Sequence, residues 1–232
     1  MKKLYLLLAV CGWTTLANAQ KLEIAAQLNS GVSKFGGASA ESSSFILVSD
    51  VANSGSYTNN PYGRRFGFNY GAGIQLQLVT DQRLLLGTQV AVEQLQSRVN
   101  INGIYGFRSN NQAEGHTTLQ NSFLNLQPYA GRRLYLHGIE MDLTLGTDIG
   151  LCHNSTEHGK ATDAYGNSVT TSTQRSKPKI DFRPRLGIAA YRNHMGLTLS
   201  YAHGLTNYTS GYDGANSEVY ARVLRFGILY RL

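Results

Sequence analysis

Phe66-Gly67-Phe68-Asn69-Tyr70-Gly71-Ala72-Gly73-Ile74-Gln75-Leu76-Gln77-Leu78 is the stretch that decides the fold class. Apolar side chains hold every even position, and Gly, Asn or Gln holds every odd one. A period of two places successive side chains on opposite faces of a β-strand. A helix would instead repeat its apolar positions every three to four residues. The run is also long, since strands of soluble domains usually hold about 5–6 residues.

The same alternation recurs along the chain. Ile139, Met141, Leu143, Leu145, Thr147, Ile149 and Leu151 alternate with Glu140, Asp142, Thr144, Gly146, Asp148 and Gly150. Leu224, Phe226, Ile228, Tyr230 and Leu232 alternate with Arg225, Gly227, Leu229 and Arg231. Five less regular runs cover Leu22 to Leu28, Leu84 to Val92, Leu124 to Ala130, Ile180 to Ala190 and Met195 to Tyr201. Pro128 and Pro184 fall inside two of these. A proline removes a ladder donor, so each needs an edge, a bulge or a strand end.

Connection lengths separate two readings of these runs. A soluble β-sandwich also alternates. Here, however, long gaps (after Lys34, near 99–116, 152–178 and 204–218) alternate with short ones (80–82, 132–138 and 192–193). Long loops at one end and tight turns at the other are the layout of transmembrane β-barrels. Four long and three short connections predict eight strands, with both termini at the turn end. The fold class is therefore all-β: a closed antiparallel up-and-down transmembrane barrel. The long gaps, such as Gly37 to Ser44 and Thr162 to Ser176, are rich in Ser, Gly and Thr and read as solvated surface loops.

Composition agrees. Charged residues make up 15% of the chain, against about 25% in soluble domains. Mean hydropathy is only −0.23, far too polar for a bundle of membrane helices. Tyr (14) and Gly (25) are plentiful and Pro (4) is scarce, which suits strands. Formal charge is +7, and its Lys and Arg residues are scattered rather than clustered. That argues against a nucleic-acid partner.

The first nineteen residues read as a secretory leader. Lys2 and Lys3 precede an apolar run from Leu4 to Val10, and Ala17-Asn18-Ala19 supplies the small-x-small cleavage pattern. The expected division is a signal peptide over 1–19 and a barrel domain over 20–232. Leu8-Ala9-Val10-Cys11 also resembles a lipobox, but Val10 is bulky where a small residue is wanted. Cleavage leaves Cys152 as the one thiol, so no internal disulfide is expected.

An eight-stranded barrel has an interior just wide enough for side chains to fill. Glu93, Glu140, Asp142, Asp148, Asp181, Arg183, Arg185, Arg225 and Arg231 take the inward parity and are expected to pair there and plug the lumen. Asp148 and Arg183 lie near the same end of neighbouring strands and form a candidate pair. A charged pore is the alternative, but water channels need about 16–18 strands.

Arg225-Phe226-Gly227-Ile228-Leu229-Tyr230-Arg231-Leu232 resembles the C-terminal signal read by the barrel assembly machinery, carried by Arg225, Gly227, Tyr230 and Leu232. Leu232 stands where that signal usually has Phe. The stretch Asp181 to Asn207, with Leu197-Thr198-Leu199-Ser200-Tyr201 and Gly204-Leu205-Thr206-Asn207 inside it, resembles the PorT-like outer-membrane β-barrel proteins of Bacteroidota. Leu124-Asn125-Leu126-Gln127-Pro128-Tyr129 is similar, less closely, to a proline-containing strand of that family. The resemblance implies a Gram-negative outer-membrane barrel without catalysis. One branch of the family is linked to assembling a protein-secretion system.

His153, Glu157 and His158 share a predicted loop, but their spacing matches no strict metal site. His203 continues the outward parity of Leu197, Leu199 and Tyr201, with Thr206, Asn207 and Ser210 following. A rim lipid hydrolase would need Ser210 and His203 within hydrogen-bond reach, and the tight spacing of such enzymes is absent. No catalytic residue, cofactor or metal is assigned. The expected partners are outer-membrane lipid, the assembly machinery and an extracellular ligand on the long loops. The expected role is structural or binding, with secretion assembly as the alternative.

Overall fold

The computed structural model describes residues 19–49, 55–106, 110–176, 178–211 and 217–232. Residues 1–18, on which the expected leader and Cys11 fall, lie outside the described residues. The strands are β1 (Ala19–Gly36), β2 (Ser43–Leu47), β3 (Tyr57–Thr58), β4 (Arg65–Thr80), β5 (Leu84–Tyr105), β6 (Asn110–Leu136), β7 (Ile139–Asp163), β8 (Ser168–Gln174), β9 (Ile180–Arg192), β10 (Met195–His203) and β11 (Tyr220–Arg231).

Eight of them close a ring in the order β1-β4-β5-β6-β7-β9-β10-β11, and β11 returns to β1. Every neighbour in the ring is antiparallel. The closing seam runs from Ala25↔Arg231 to Gly36↔Tyr220, and the Leu232 N–H donates to the Ile24 carbonyl at 2.9 Å. Closure leaves no open edge in the ring, which is how strands satisfy their backbone groups in hydrocarbon.

The outward face carries the oily residues. Leu22, Leu28, Phe68, Ile74, Leu86, Val92, Leu145, Leu186, Leu197, Phe226 and Ile228 are all exposed, while Glu93, Asp148, Arg183 and Arg225 are buried. This inside-out arrangement is that of a transmembrane β-barrel. From Leu224 to Leu232 the strand runs about 26 Å, or about 20 Å of height at a tilt near 40°, close to the ~25 Å apolar band of such barrels.

Three tight turns gather at one end. Arg83, His137 and Asn193 take positive φ (63°, 49° and 57°), and Gly138 follows His137 at 79°. Two successive positive-φ residues make the mirror-image turn whose twist matches the hairpin. The prolines sit where the ladder can spare them. The β6–β7 ladder lapses at Gln127 and Pro128, between Leu126↔Ile149 and Tyr129↔Gly146. Pairing between β9 and β10 ends at Arg185↔Ala202, one residue short of Pro184.

The opposite end departs from the expectation of solvated loops. The gap read over 99–116 is mostly strand, because β5 continues to Tyr105 and β6 begins at Asn110. The gap over 152–178 is likewise filled by β7 and β8. β2 adds to β5 in parallel, β3 pairs with β2, and β8 pairs with β7. Together they form a head built on the ring. It has its own small core of Ile46, Val99, Ile101, Ile104, Ala113 and Ala161. Hydrophobic burial between folded strands, rather than solvation, shapes these segments.

Candidate functional site: a closed lumen beneath a β-built head

The lumen fills from the turn end upward. Arg133 on β6 donates from Nη1 and Nη2 to the two oxygens of Glu23 on β1, both at 2.8 Å. Its Nε and Nη2 donate to Asp142 on β7 at 2.7 and 2.8 Å. Arg231 on β11 lies 3.3 Å from Glu23 and donates to Glu140. Its guanidinium lies 3.6 Å from the centroid of the Tyr191 ring. Gln77 donates to Asp142 at 3.0 Å and accepts from the Tyr129 hydroxyl at 2.8 Å. Lys21 adds an exposed ammonium 3.1 Å from Glu23. Three carboxylates thus face three cations, and the fork geometry of Arg133 makes the contacts strong.

A second network occupies the middle. Arg225 on β11 donates to both oxygens of Glu93 on β5, at 2.5 and 2.9 Å. It also approaches Asp148 on β7 at 2.8 Å. Asp148 stands directly across the ladder from Arg183, with an ion pair at 3.7 Å, and Arg185 reaches it at 3.4 Å. Asn125 bridges the network, accepting from Arg183 and donating to Glu93, each at 2.8 Å. Asp181 takes the Tyr208 hydroxyl at 2.6 Å and lies 3.5 Å from Arg183. Here too three carboxylates meet three guanidiniums. A polar cavity of about 30 Å³, lined in part by Gln27, Gln89 and Ser200, separates the two networks. That is room for about two waters and no more.

An apolar layer closes the lumen above the second network. Phe35, Tyr62, Leu119, Phe123, Tyr208 and Val219 form one buried cluster. Phe35 meets Tyr62 and Tyr208 edge to face, at 5.3 and 4.8 Å between centroids. Tyr62 and Tyr208 come from connections, not from ring strands, so those connections fold inward over the mouth.

Higher still, Glu157 on β7 is buried and accepts from Arg175 at 2.8 Å and from the Thr58 N–H at 2.8 Å. This ties β3 and the chain after β8 to β7. The tip of the β7–β8 hairpin is organised by Asp163. One of its oxygens accepts the Asn167 and Tyr165 N–H groups at 2.8 and 2.9 Å, and the other accepts Asn167 Nδ2 and Asn111 Nδ2 at 3.1 and 2.9 Å. Those donors, the Asn167 side chain first, hold its carboxyl below the usual carboxylate range. On the outer face of the head, partial burial and then the Arg98 guanidinium hold His116 below the ordinary imidazole range.

The inward-parity residues named from the sequence divide between the two networks. Glu140, Asp142 and Arg231 lie in the lower one; Glu93, Asp148, Asp181, Arg183, Arg185 and Arg225 lie in the middle one. Sequence reasoning missed Glu23 and Arg133, the centre of the lower network. Both carry the inward parity of their strands, so alternation counted through Tyr129, Gly131 and Arg133 was the available signal. Residues Arg225, Gly227, Tyr230 and Leu232 lie on or just beyond the seam strand β11.

The loop histidines do not converge. An extra residue in β7 at His153 shifts the register between Ser122↔Asn154 and Phe123↔Cys152. Glu157 therefore faces inward while His158 is exposed on the outer face. Among the described residues no group of His, Cys, Asp and Glu could hold a metal ion. Cys152 is buried and donates to the Asn154 carbonyl at 3.4 Å. Nδ1 of His203 lies 3.2 Å from the Tyr201 hydroxyl, and the Ser210 N–H points back to the Asn207 carbonyl at 3.4 Å.

No family model matches the chain, and no curated protein matches it. Among solved structures it is similar to surface protein A of Neisseria, NspA, with 8% identity over 92% of this chain and 100% of that one (TM-score 0.41). It is also similar to Ail, the attachment invasion locus protein of Yersinia pestis, with 13% identity over 92% and 100% (TM-score 0.38). A third similarity is to the translocator domain of the autotransporter NalP from Neisseria meningitidis, with 11% identity over 94% and 92% (TM-score 0.23).

Proposed function

We propose that this chain is a non-catalytic outer-membrane barrel that anchors a binding head at the cell surface. The observation that carries this reading is the pairing of a shut lumen with strands that run on past the apolar band. β6 extends from Leu124, its last outward apolar residue, to Asn110, about 45 Å further along the strand. A pore has no need of such a head, and a purely structural anchor has no need of its separate core. The leader of residues 1–19 routes the chain to the envelope, and Arg225 to Leu232 presents β11 to the assembly machinery. The ligand meets the head from outside.

The resemblance to PorT-like proteins supplies the second reading, a secretion-assembly role in which the turns would meet partners. The matching residues have work within the fold. Phe182 donates its N–H to the Thr206 hydroxyl at 2.9 Å and accepts the Leu205 N–H at 2.9 Å. Asn207 accepts the N–H groups of Thr209 and Val219 at 3.1 and 3.0 Å. These contacts fasten the connection after β10, at the head end and away from the turns, which favours the surface-binding reading.

Photo-crosslinking from cells separates the two. A crosslinker at Thr170 on the outer face of β8 should capture surface material, and one at Asn193 in the β9–β10 turn should not. Capture of envelope proteins from Asn193 alone would establish the assembly role instead. A hydrolase at the rim predicts changed lipid A masses for His203→Ala; unchanged masses are expected.

A further inference from the structure

Two cations, Lys34 and Arg222, and the imidazole of His203 stand side by side on the outward face where the apolar band ends. In the ladder, His203 on β10 lies directly opposite Arg222 on β11, and Arg222 lies directly opposite Lys34 on β1. Directly opposed residues share a face, with Cβ atoms about 5 Å apart. Arg222 is two residues above Leu224 on its strand, His203 two above Tyr201, and Lys34 two above Val32. Two residues are about 6.6 Å of strand, or about 5 Å of height. That is the level of lipid headgroups.

Like charges set directly opposite each other destabilise a sheet, and proteins usually answer them with a carboxylate. Among the described residues none of the ion pairs involves Lys34, Arg222 or His203; every carboxylate partner that is paired belongs to the lumen or to the head. Glu218, at the start of the returning strand, pairs with none of the three. The Nε of Arg222 is buried and lacks a hydrogen-bond partner. Its guanidinium is seated over Gly36, where a Cβ would come within 2.6 Å of Nε and 2.7 Å of Cζ. Lys34 is held over the Phe66 ring at 4.6 Å, and the Tyr201 hydroxyl holds His203. Lys34, Arg222 and His203 are thus positioned by their own neighbours, and no carboxylate among the described residues forms an ion pair with any of them.

We propose that the row His203–Arg222–Lys34 binds the phosphate of an anionic glycolipid headgroup in the outer leaflet. Arg222 and Lys34 supply charge and donors to the phosphate oxygens. The apolar strip beneath them, Leu199, Tyr201, Leu224, Phe226 and Val32, receives the acyl chains of the same molecule. This joins a charged site to an oily one in the order a lipid presents them. It rests on the outer-membrane reading above.

The test uses the mature chain refolded in micelles and measured by native mass spectrometry. The probes are bisphosphorylated lipid A and the same lipid stripped of both phosphates. Wild type should retain the phosphorylated form about tenfold better, the scale of one charge-assisted contact. The double variant Lys34→Gln/Arg222→Gln should lose that preference while keeping its heat-modifiable gel shift, and Arg222→Lys should keep most of it. If the double variant fails to fold, Lys34→Gln alone should still lower the preference severalfold. Equal retention of the two lipids by wild type overturns the proposal, as does displacement by inorganic phosphate, which would make this a soluble-anion site. Failure of wild type to enter vesicles of any composition overturns the membrane reading, and this proposal with it.

Discussion

Arg133 shows what single residues decide here. The residue is 1% exposed, and its guanidinium holds three carboxylates from two other strands, Glu23 on β1 and Glu140 and Asp142 on β7. Removing one partner of a buried pair leaves charge uncompensated, at a cost of about 3–5 kcal/mol. Arg133→Ala should therefore lower unfolding free energy by that amount in urea titrations of the vesicle-inserted protein, and adding Glu23→Gln should recover part of it. A loss under about 1 kcal/mol would mean that Glu23, Glu140 and Asp142 are not paired with Arg133 as described. Asp163 behaves differently because it sits at the tip of the head. Its folded carboxyl is more acidic than an unfolded one, so the stability it lends is present above the unfolded value near 3.9 and fades as pH falls through the folded value. Amide exchange in the β7–β8 hairpin should accelerate below about pH 4, and Asp163→Asn should abolish that dependence. The sequence made one of these residues hard to see. Asp148 and Arg183 sit inside clean alternation, so their facing was legible. Arg133 follows Arg132 next to a turn, and such a pair reads as solvent-facing unless parity is counted through it.

At the scale of elements, two tyrosines stand in for side chains that glycines lack. Tyr129 lies across the ladder from Gly87, and Tyr191 across from Gly196. A Cβ on Gly196 would meet the Tyr191 ring at 2.5 and 2.6 Å. An aromatic laid over a glycine covers the bare backbone and fixes register. Tyr191 is also the ring on which Arg231 rests, so β9, β10 and β11 are coupled through one side chain. Gly196→Val should cost about 1–3 kcal/mol by overpacking. Combined with Tyr191→Ala it should be clearly non-additive, because the two residues touch. Strict additivity would show that the ring does not lie there. The eight ring strands were legible because lipid demands apolar residues on most outward positions. The head was not, because water bathes its outer face and its inner face is narrow. Thr156, His158, Lys160 and Thr162 alternate with Ser155, Glu157, Gly159 and Ala161, a pattern with almost no hydrophobic contrast. The extra residue at His153 also moves the inward parity from even to odd, which no counting from the barrel would anticipate.

For the whole molecule the decisive property is that the lumen is shut at three heights by two kinds of chemistry. The lower and middle networks each balance three carboxylates against three cations, and the cluster around Phe35, Tyr62 and Tyr208 excludes water above them. An ion entering from the turn end meets charge already paired within the lumen, and one entering from the head end meets the oily layer first. The formal excess of +7 in the full sequence therefore resides outside the plug, where it acts on surroundings and not on transport. Because the barriers are in series, opening one should not open the path. Wild type in planar bilayers should give no steady conductance, and neither should Arg133→Ala or Tyr62→Ala alone. Loosening the middle network and the apolar layer together, as in Arg225→Ala/Phe35→Ala, should produce brief, noisy openings, since an eight-stranded interior remains too narrow for a wide water column. Stable, well-resolved channels from wild type would require Arg225 and Glu93 to part, and would show that the barrel is a pore after all.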